Sequence, residues 1–79
     1  MRLRISVTQE DIDKGTSRSA YCPVALAVKR LGYKDVHVLG EIRADDFRFS
    51  VPLLAAKFID RFDEGKPVYP FTFTATRIG

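Results

Sequence analysis

Cys22 and His37 are the residues of this chain best suited to covalent chemistry, as nucleophile and base. A thiolate needs a base within hydrogen-bond reach and donors for the oxyanion its attack creates. Cys22 stands just before Pro23, at an expected helix start, where the positive end of the helix dipole lowers a thiol pKa. The same position suits a cysteine that caps a helix or fills a small space in the core, as isolated cysteines commonly do. The sequence therefore assigns no catalytic residue. Six of the ten carboxylates stand as three near-neighbour pairs: Asp11 with Asp13, Asp45 with Asp46, and Asp63 with Glu64. Each pair falls at an expected helix end or turn, where Asp hydrogen-bonds the local backbone. No general acid, general base or set of metal ligands emerges from them. Gly32 and Gly40 are too far apart to cradle a phosphate, and neither opens a helix after a strand. With one cysteine and one histidine the chain assembles neither a disulfide nor a Cys/His zinc cluster, so no metal and no cofactor is expected.

The other chemistry within reach is the grip of arginine on anions. Leu3, Ile5 and Val7 alternate with Arg2, Arg4 and Ser6, the pattern of a half-buried strand with arginines on its outer face. Extended to the other expected strands, the same parity puts Arg2, Arg4, His37, Arg43, Arg48, Thr72, Thr74 and Thr76 on one open sheet face. The aromatic residues Phe47, Phe49, Phe71 and Phe73 share parity with the aliphatics, so they face the helices. The open face then carries guanidinium forks and hydroxyls but no platform for stacking bases. Such a surface holds phosphates or acidic protein; it is also what a solvated outer face looks like, since Arg and Thr suit strands. Arg4 and Arg48, read as neighbours on central strands, should repel unless an anion sits near them. A second candidate surface is the polar stretch Lys14–Tyr21, which has no periodicity and carries Lys14, Arg18 and Tyr21.

Elements that position these residues are well marked. Thr8-Gln9-Glu10-Asp11 resembles a capping box with Asp in the acidic place, and Gly15 is a natural stop, so residues 9–14 form about one turn. Pro23 opens a helix over 23–31, with Val24, Ala27, Val28 and Leu31 as its apolar stripe and Gly32 as its end. Val36–Arg43 and Phe47–Val51 flank the turn Ala44-Asp45-Asp46 as a β-hairpin, and Gly40 marks either a bulge or an earlier turn. Pro52 opens a second helix over 52–64, with Leu54, Ala55, Phe58, Ile59 and Phe62 as its stripe; Gly65 and Pro67 end it. Tyr69 to Thr76 alternates as the last strand.

The element order is β-α-β-β-α-β. It predicts an α+β fold of the ferredoxin-like kind, a four-stranded sheet of order 4-1-3-2 with both helices on one face; another four-stranded antiparallel sheet with two helices is the alternative. The expected core is Leu3, Ile5, Val7, Val28, Leu31, Val36, Phe49, Phe58, Ile59, Phe62, Phe71 and Phe73. Seventy-nine residues make one compact domain, 1–79, and a monomer is favoured.

Three stretches resemble, in order, a family of very small proteins encoded by phages and prophages: Val7–Gly15 (VTQEDIDKG), Cys22–Ala27 (CPVALA) and Phe58–Phe73 (FIDRFDEGKPVYPFTF). Within that family the chain is most similar to anti-CRISPR proteins of the kind that block a type I Cascade complex. The resemblance implies a stoichiometric inhibitor, not an enzyme, that binds a host CRISPR effector complex and blocks target-DNA binding or nuclease recruitment. Read from the residues alone, the alternative is a small accessory protein that binds nucleic acid through the basic sheet face.

The net charge of +3, from 13 Lys+Arg against 10 Asp+Glu, excludes an acidic mimic of DNA. No apolar run approaches the roughly 20 residues of a membrane span, and the start Met1-Arg2-Leu3-Arg4-Ile5 lacks the apolar core of a signal peptide. Together with a lone thiol, these features place the protein in a reducing cytoplasm, that of a host bacterial cell under the resemblance above.

Overall fold

The computed structural model describes residues 1–79 and orders them as β1 (Arg2–Val7), α1 (Gln9–Lys14), α2 (Pro23–Lys29), β2 (Val36–Val38), β3 (Glu41–Ala44), β4 (Phe47–Ser50), α3 (Leu53–Asp63) and β5 (Phe71–Thr76). Local chemistry accounts for the helix ends. The Thr8 amide donates to Asp11 Oδ2 at 2.9 Å and the Asp11 amide to Thr8 Oγ1 at 3.3 Å, a complete capping box for α1. A Cβ on Gly15 would lie 2.7 Å from both the Asp11 carbonyl oxygen and the Pro23 ring, so only glycine lets the end of α1 meet the start of α2. Cys22 is the N-cap of α2, its Sγ accepting from the Ala25 amide at 3.4 Å, with Pro23 in the first turn. After α3, the Lys66 amide donates to the Arg61 carbonyl and the Gly65 amide to that of Phe62. Gly65 has φ 74°, and the three together form a Schellman motif.

The helices cover one face of the strands. α2 buries Val24, Ala25, Ala27 and Val28, and the small alanines bring its backbone close to β1 and β2. These pack with Ile5, Val7, Val36, Ile42, Phe49 and Phe73 in a single core. One expected core position, Leu31, and one expected stripe position, Leu54, lie outside it. Leu31 is 49% exposed, because α2 stops at Lys29 and the chain turns through Arg30–Gly32, which breaks the helical stripe before Leu31. Leu54 is 59% exposed: α3 turns only Ala55 and Phe58 fully inward, over the start of β5. Leu3, Ile59, Phe62 and Phe71 are half-buried against the core.

The α+β class holds, but the ferredoxin-like four-stranded sheet is corrected to five strands in two antiparallel sheets, β1-β5 and β2-β3-β4. The stretch expected as one strand over 36–43 turns at Leu39-Gly40, and its halves pair as Val36 with Ala44 and Val38 with Ile42. β1 is not central. It pairs along its whole length with β5, from Arg2 with Thr76 to Val7 with Phe71. The residues after β5 then run beside β4: Phe49 bridges Arg77, the Arg48 amide donates to the Gly79 carbonyl at 3.0 Å, and the Ile78 amide to the Arg48 carbonyl at 2.9 Å. The lateral order is therefore β2-β3-β4-β5-β1, and no strand pair is parallel. Antiparallel ladders are slightly more stable per residue than parallel ones.

Candidate functional site

The outer face of the strands assembles the expected arginines. Arg2, Arg4 and Ser6 come from β1, Thr72, Thr74 and Thr76 from β5, Arg48 and Ser50 from β4, Glu41 and Arg43 from β3, and His37 from β2. Their positions follow from pairing registers that set Arg4 opposite Thr74, Ser6 opposite Thr72, and His37 opposite Arg43. Arg2, Arg4, Arg43 and Arg48 are all exposed. The face continues across the joint between the sheets, where the Thr76 amide donates to Ser50 Oγ at 3.1 Å.

Arg48 does not neighbour Arg4, as the sequence suggested; β5 lies between their strands. Its cross-strand partner is Arg43, and the like-charge contact is relieved from within the sheet. Glu41 Oε2 lies 3.2 Å from Arg48 Nε and 3.5 Å from Arg43 Nε. The oxygen is buried and neither approach is aligned as a hydrogen bond, so the contact is electrostatic. Glu41 thus gathers two guanidinium groups by their Nε edges. Sequence reading assigned Glu41 no role; its shared parity with Arg43 on one strand was the available signal. Arg2 and Arg4 have no ion-pair partner.

The Lys14–Tyr21 residues are dispersed. Lys14 pairs with Glu10 across one helical turn at 3.8 Å on the exposed side of α1. Tyr21 carries Lys29 Nζ 4.3 Å above its ring, a cation–π contact. Arg18 lines a hollow of about 290 Å³ with Ser17, Ser19, Cys22, Leu39 and Asp63. The loop docks on β2, the Val38 amide donating to the Ser19 carbonyl at 2.9 Å. It therefore borders the sheet at the edge opposite Arg2 and Arg4.

The fold also builds a chain that sequence reading did not pair: Ser19 Oγ lies 3.5 Å from His37 Nδ1, and His37 Nε2 lies 3.1 Å from Asp35 Oδ1. Its residue types are those of a hydrolase triad, yet Asp35 is 77% exposed, where solvent screens the charge that would orient the histidine. Asp35 stands just before β2, two residues from His37; Ser19 reaches them only through the docking of the loop. The thiol of Cys22 is committed to capping α2. Burial pushes it above the usual thiol range; the Ala25 and Val24 amides pull it down, and the Asp63 charge adds to the rise. Labelling by a thiol-specific disulfide reagent is expected to be slower in the folded chain than in urea, about a hundredfold for a local opening of about 3 kcal/mol. Equal rates would revive the nucleophile reading.

Of the three carboxylate pairs, one member each of two holds backbone: Asp45 and Asp11. Asp45 Oδ1 accepts from the Lys34 and Asp35 amides at 3.2 and 2.9 Å. Asp11 accepts from Thr8 and, at 2.6 Å, from Arg30 Nη1. No three His, Cys, Asp or Glu side chains converge on a common point. On the helical side, a groove of about 250 Å³ runs between α3 and Pro67–Phe71, with Lys57 and Arg61 among its lining residues. No helix is long and apolar enough to cross a membrane. Comparison with protein-family models, curated proteins and solved structures finds no match to this chain.

Proposed function

We propose that this chain is a non-catalytic binding protein whose outer sheet face holds an anionic surface of a macromolecular partner. The observation that carries the reading is the gathering of Arg2, Arg4, Arg43 and Arg48 on one exposed face, where Glu41 is the one carboxylate that pairs with any of them. Strands hold these arginine backbones in place, so less freedom is lost on binding than with arginines on a loop. A standard partner footprint of about 800 Å² is about a sixth of the 4922 Å² the chain exposes. The resemblance of its three sequence stretches to small phage proteins names the partner: a host CRISPR effector complex of the Cascade kind, whose target-DNA binding or nuclease recruitment is blocked in the host cytoplasm.

The test is co-purification with tagged Cascade subunits, with and without nuclease treatment. Binding is expected to survive the nuclease. It is expected to fall at least about a hundredfold in Arg4→Glu/Arg48→Glu, each arginine contributing about 1.5–3 kcal/mol through charge-assisted hydrogen bonds. Lys14→Glu/Arg18→Glu is expected to bind as wild type does; loss of binding only in that variant would move the site to the loop. No co-elution with any CRISPR effector, and no protection of phage in a plaque assay, would remove the anti-CRISPR reading.

The second reading, nucleic-acid binding, draws on the hydroxyls of Thr72, Thr74 and Thr76 lying among the arginines. It predicts binding that is lost on nuclease treatment. Four phosphate contacts at about −0.9 each would give a log–log salt slope of about −3.6 on duplex DNA.

A further inference from the structure

β1 has a free edge, and its chemistry selects what can pair with it. The Arg77 amide donates to the Met1 carbonyl at 2.8 Å, which fixes the phase of the ladder: odd-numbered residues of β1 bond to β5. The amides and carbonyls of Arg2, Arg4 and Ser6 therefore point away from β5. Arg30 Nη2 caps the Ser6 carbonyl at 2.7 Å. No other strand pairs with β1, and no group in the chain takes the outward amides or carbonyls of Arg2 and Arg4. Unpaired strand edges are templates for another strand, and proteins commonly guard them with charge.

Here the guard is selective. A second copy pairing antiparallel about Leu3 would set Arg2 against the other copy's Arg4 twice over, a like-charge contact on the same face. A strand with carboxylates two residues apart meets the same two arginines with opposite charge. The residue between those carboxylates would point to the other side of the sheet, beside the half-buried Leu3.

We propose that the β1 edge takes up an extended acidic segment of a protein partner by strand addition, in the pattern acidic–apolar–acidic. Backbone hydrogen bonds to Arg2 and Arg4 supply the grip, and their guanidinium groups supply the selection. Arg30 ends the docking site at Ser6. The inference rests on the reading that the arginine face binds an anionic partner, and it adds that the partner is protein, because nucleic acid has no amide backbone to complete the ladder.

The experiment uses the full chain, ¹⁵N-labelled, titrated with the acetylated and amidated peptide Thr-Glu-Val-Glu-Thr at low salt. The Arg2 and Arg4 amides are expected to show the largest shifts and slowed hydrogen exchange. A lysine peptide, Thr-Lys-Val-Lys-Thr, is expected to leave them unchanged. N-methylation of the peptide amides that face β1 should weaken binding by about tenfold or more, as loss of the ladder bonds requires. Arg2→Glu/Arg4→Glu should reverse the preference between the two peptides, and such an outcome also shows that the variant is folded. Equal binding of the N-methylated peptide, shifts confined to Arg43 and Arg48, or no shift at millimolar peptide would each overturn the edge proposal while leaving the co-purification test of the face unaffected. Perturbation of β1 by a short single-stranded DNA at lower concentration than by the acidic peptide would overturn it in favour of nucleic acid.

Discussion

Phe49→Ala is expected to cost about 3–5 kcal/mol, the range for truncating a fully buried aromatic. At about 0.05–0.15 kcal/mol per residue, a chain of 79 residues holds about 4–12 kcal/mol in all, so the variant is at the margin of folding. Phe49 is 0% exposed. It pairs with Ile42 on β3, meets the Tyr33 ring edge-on at 6.2 Å, and bridges Arg77 beyond β5. The cavity would therefore open at the joint between the two sheets, where the backbone pairing is short. A small domain loses about 4 °C or more of Tm per kcal/mol, so the melt should fall by about 12 °C or more. Phe58→Ala should cost less, toward the lower end of the range, because α3 is thinly covered and the site can collapse. A Phe49→Ala chain melting within a few degrees of wild type would mean that the core does not close around this ring.

The second large effect is expected at Asp11, the one buried charged residue, 4% exposed. Its carboxylate closes the α1 capping box and takes Arg30, whose other amino group caps the Ser6 carbonyl at the β1 edge. Losing the box costs about 1 kcal/mol, and losing a hydrogen bond to a charged group about 1.5–3 kcal/mol, less here because Arg30 is half in solvent. Asp11→Ala is therefore expected to cost about 2–3 kcal/mol in urea unfolding. Burial alone would raise this carboxyl; the hydrogen bond from Arg30 and those from Thr8 outweigh it and hold Asp11 below the usual aspartate range. A folded pKa below the unfolded one means that the contribution is complete above the unfolded value of about 3.9. It is lost as pH falls through the folded value, because the unfolded chain then binds the proton more readily. Wild type should thus lose more stability than Asp11→Asn between about pH 5 and pH 3. Parallel pH profiles for the two proteins would show that Asp11 carries no such linkage.

Local features of this fold were legible in the sequence because they depend on neighbours in the chain. Thr8 and Asp11, Cys22 and Pro23, and Gly65 sit within a few residues of the backbone groups they cap, so residue type and spacing suffice. The same holds for the period-two alternation that assigned Arg2, Arg4, Arg43 and Arg48 to one face and Phe49 and Phe73 to the other: the pleat imposes it whatever lies alongside. Lateral strand order is not a local property. Nothing near β1 records that β5 will pair with it or that residues 77–79 will run beside β4. That choice is made by long-range ladders and by which apolar faces bury best together. From it follow the separation of Arg4 from Arg48, the pairing of Arg48 with Arg43 over Glu41, and the free edge at Arg2 and Arg4. The early end of α2 is tertiary for the same reason: it leaves Leu31 exposed despite its perfect spacing, because a stripe is buried only where the helix and the surface it covers both extend that far.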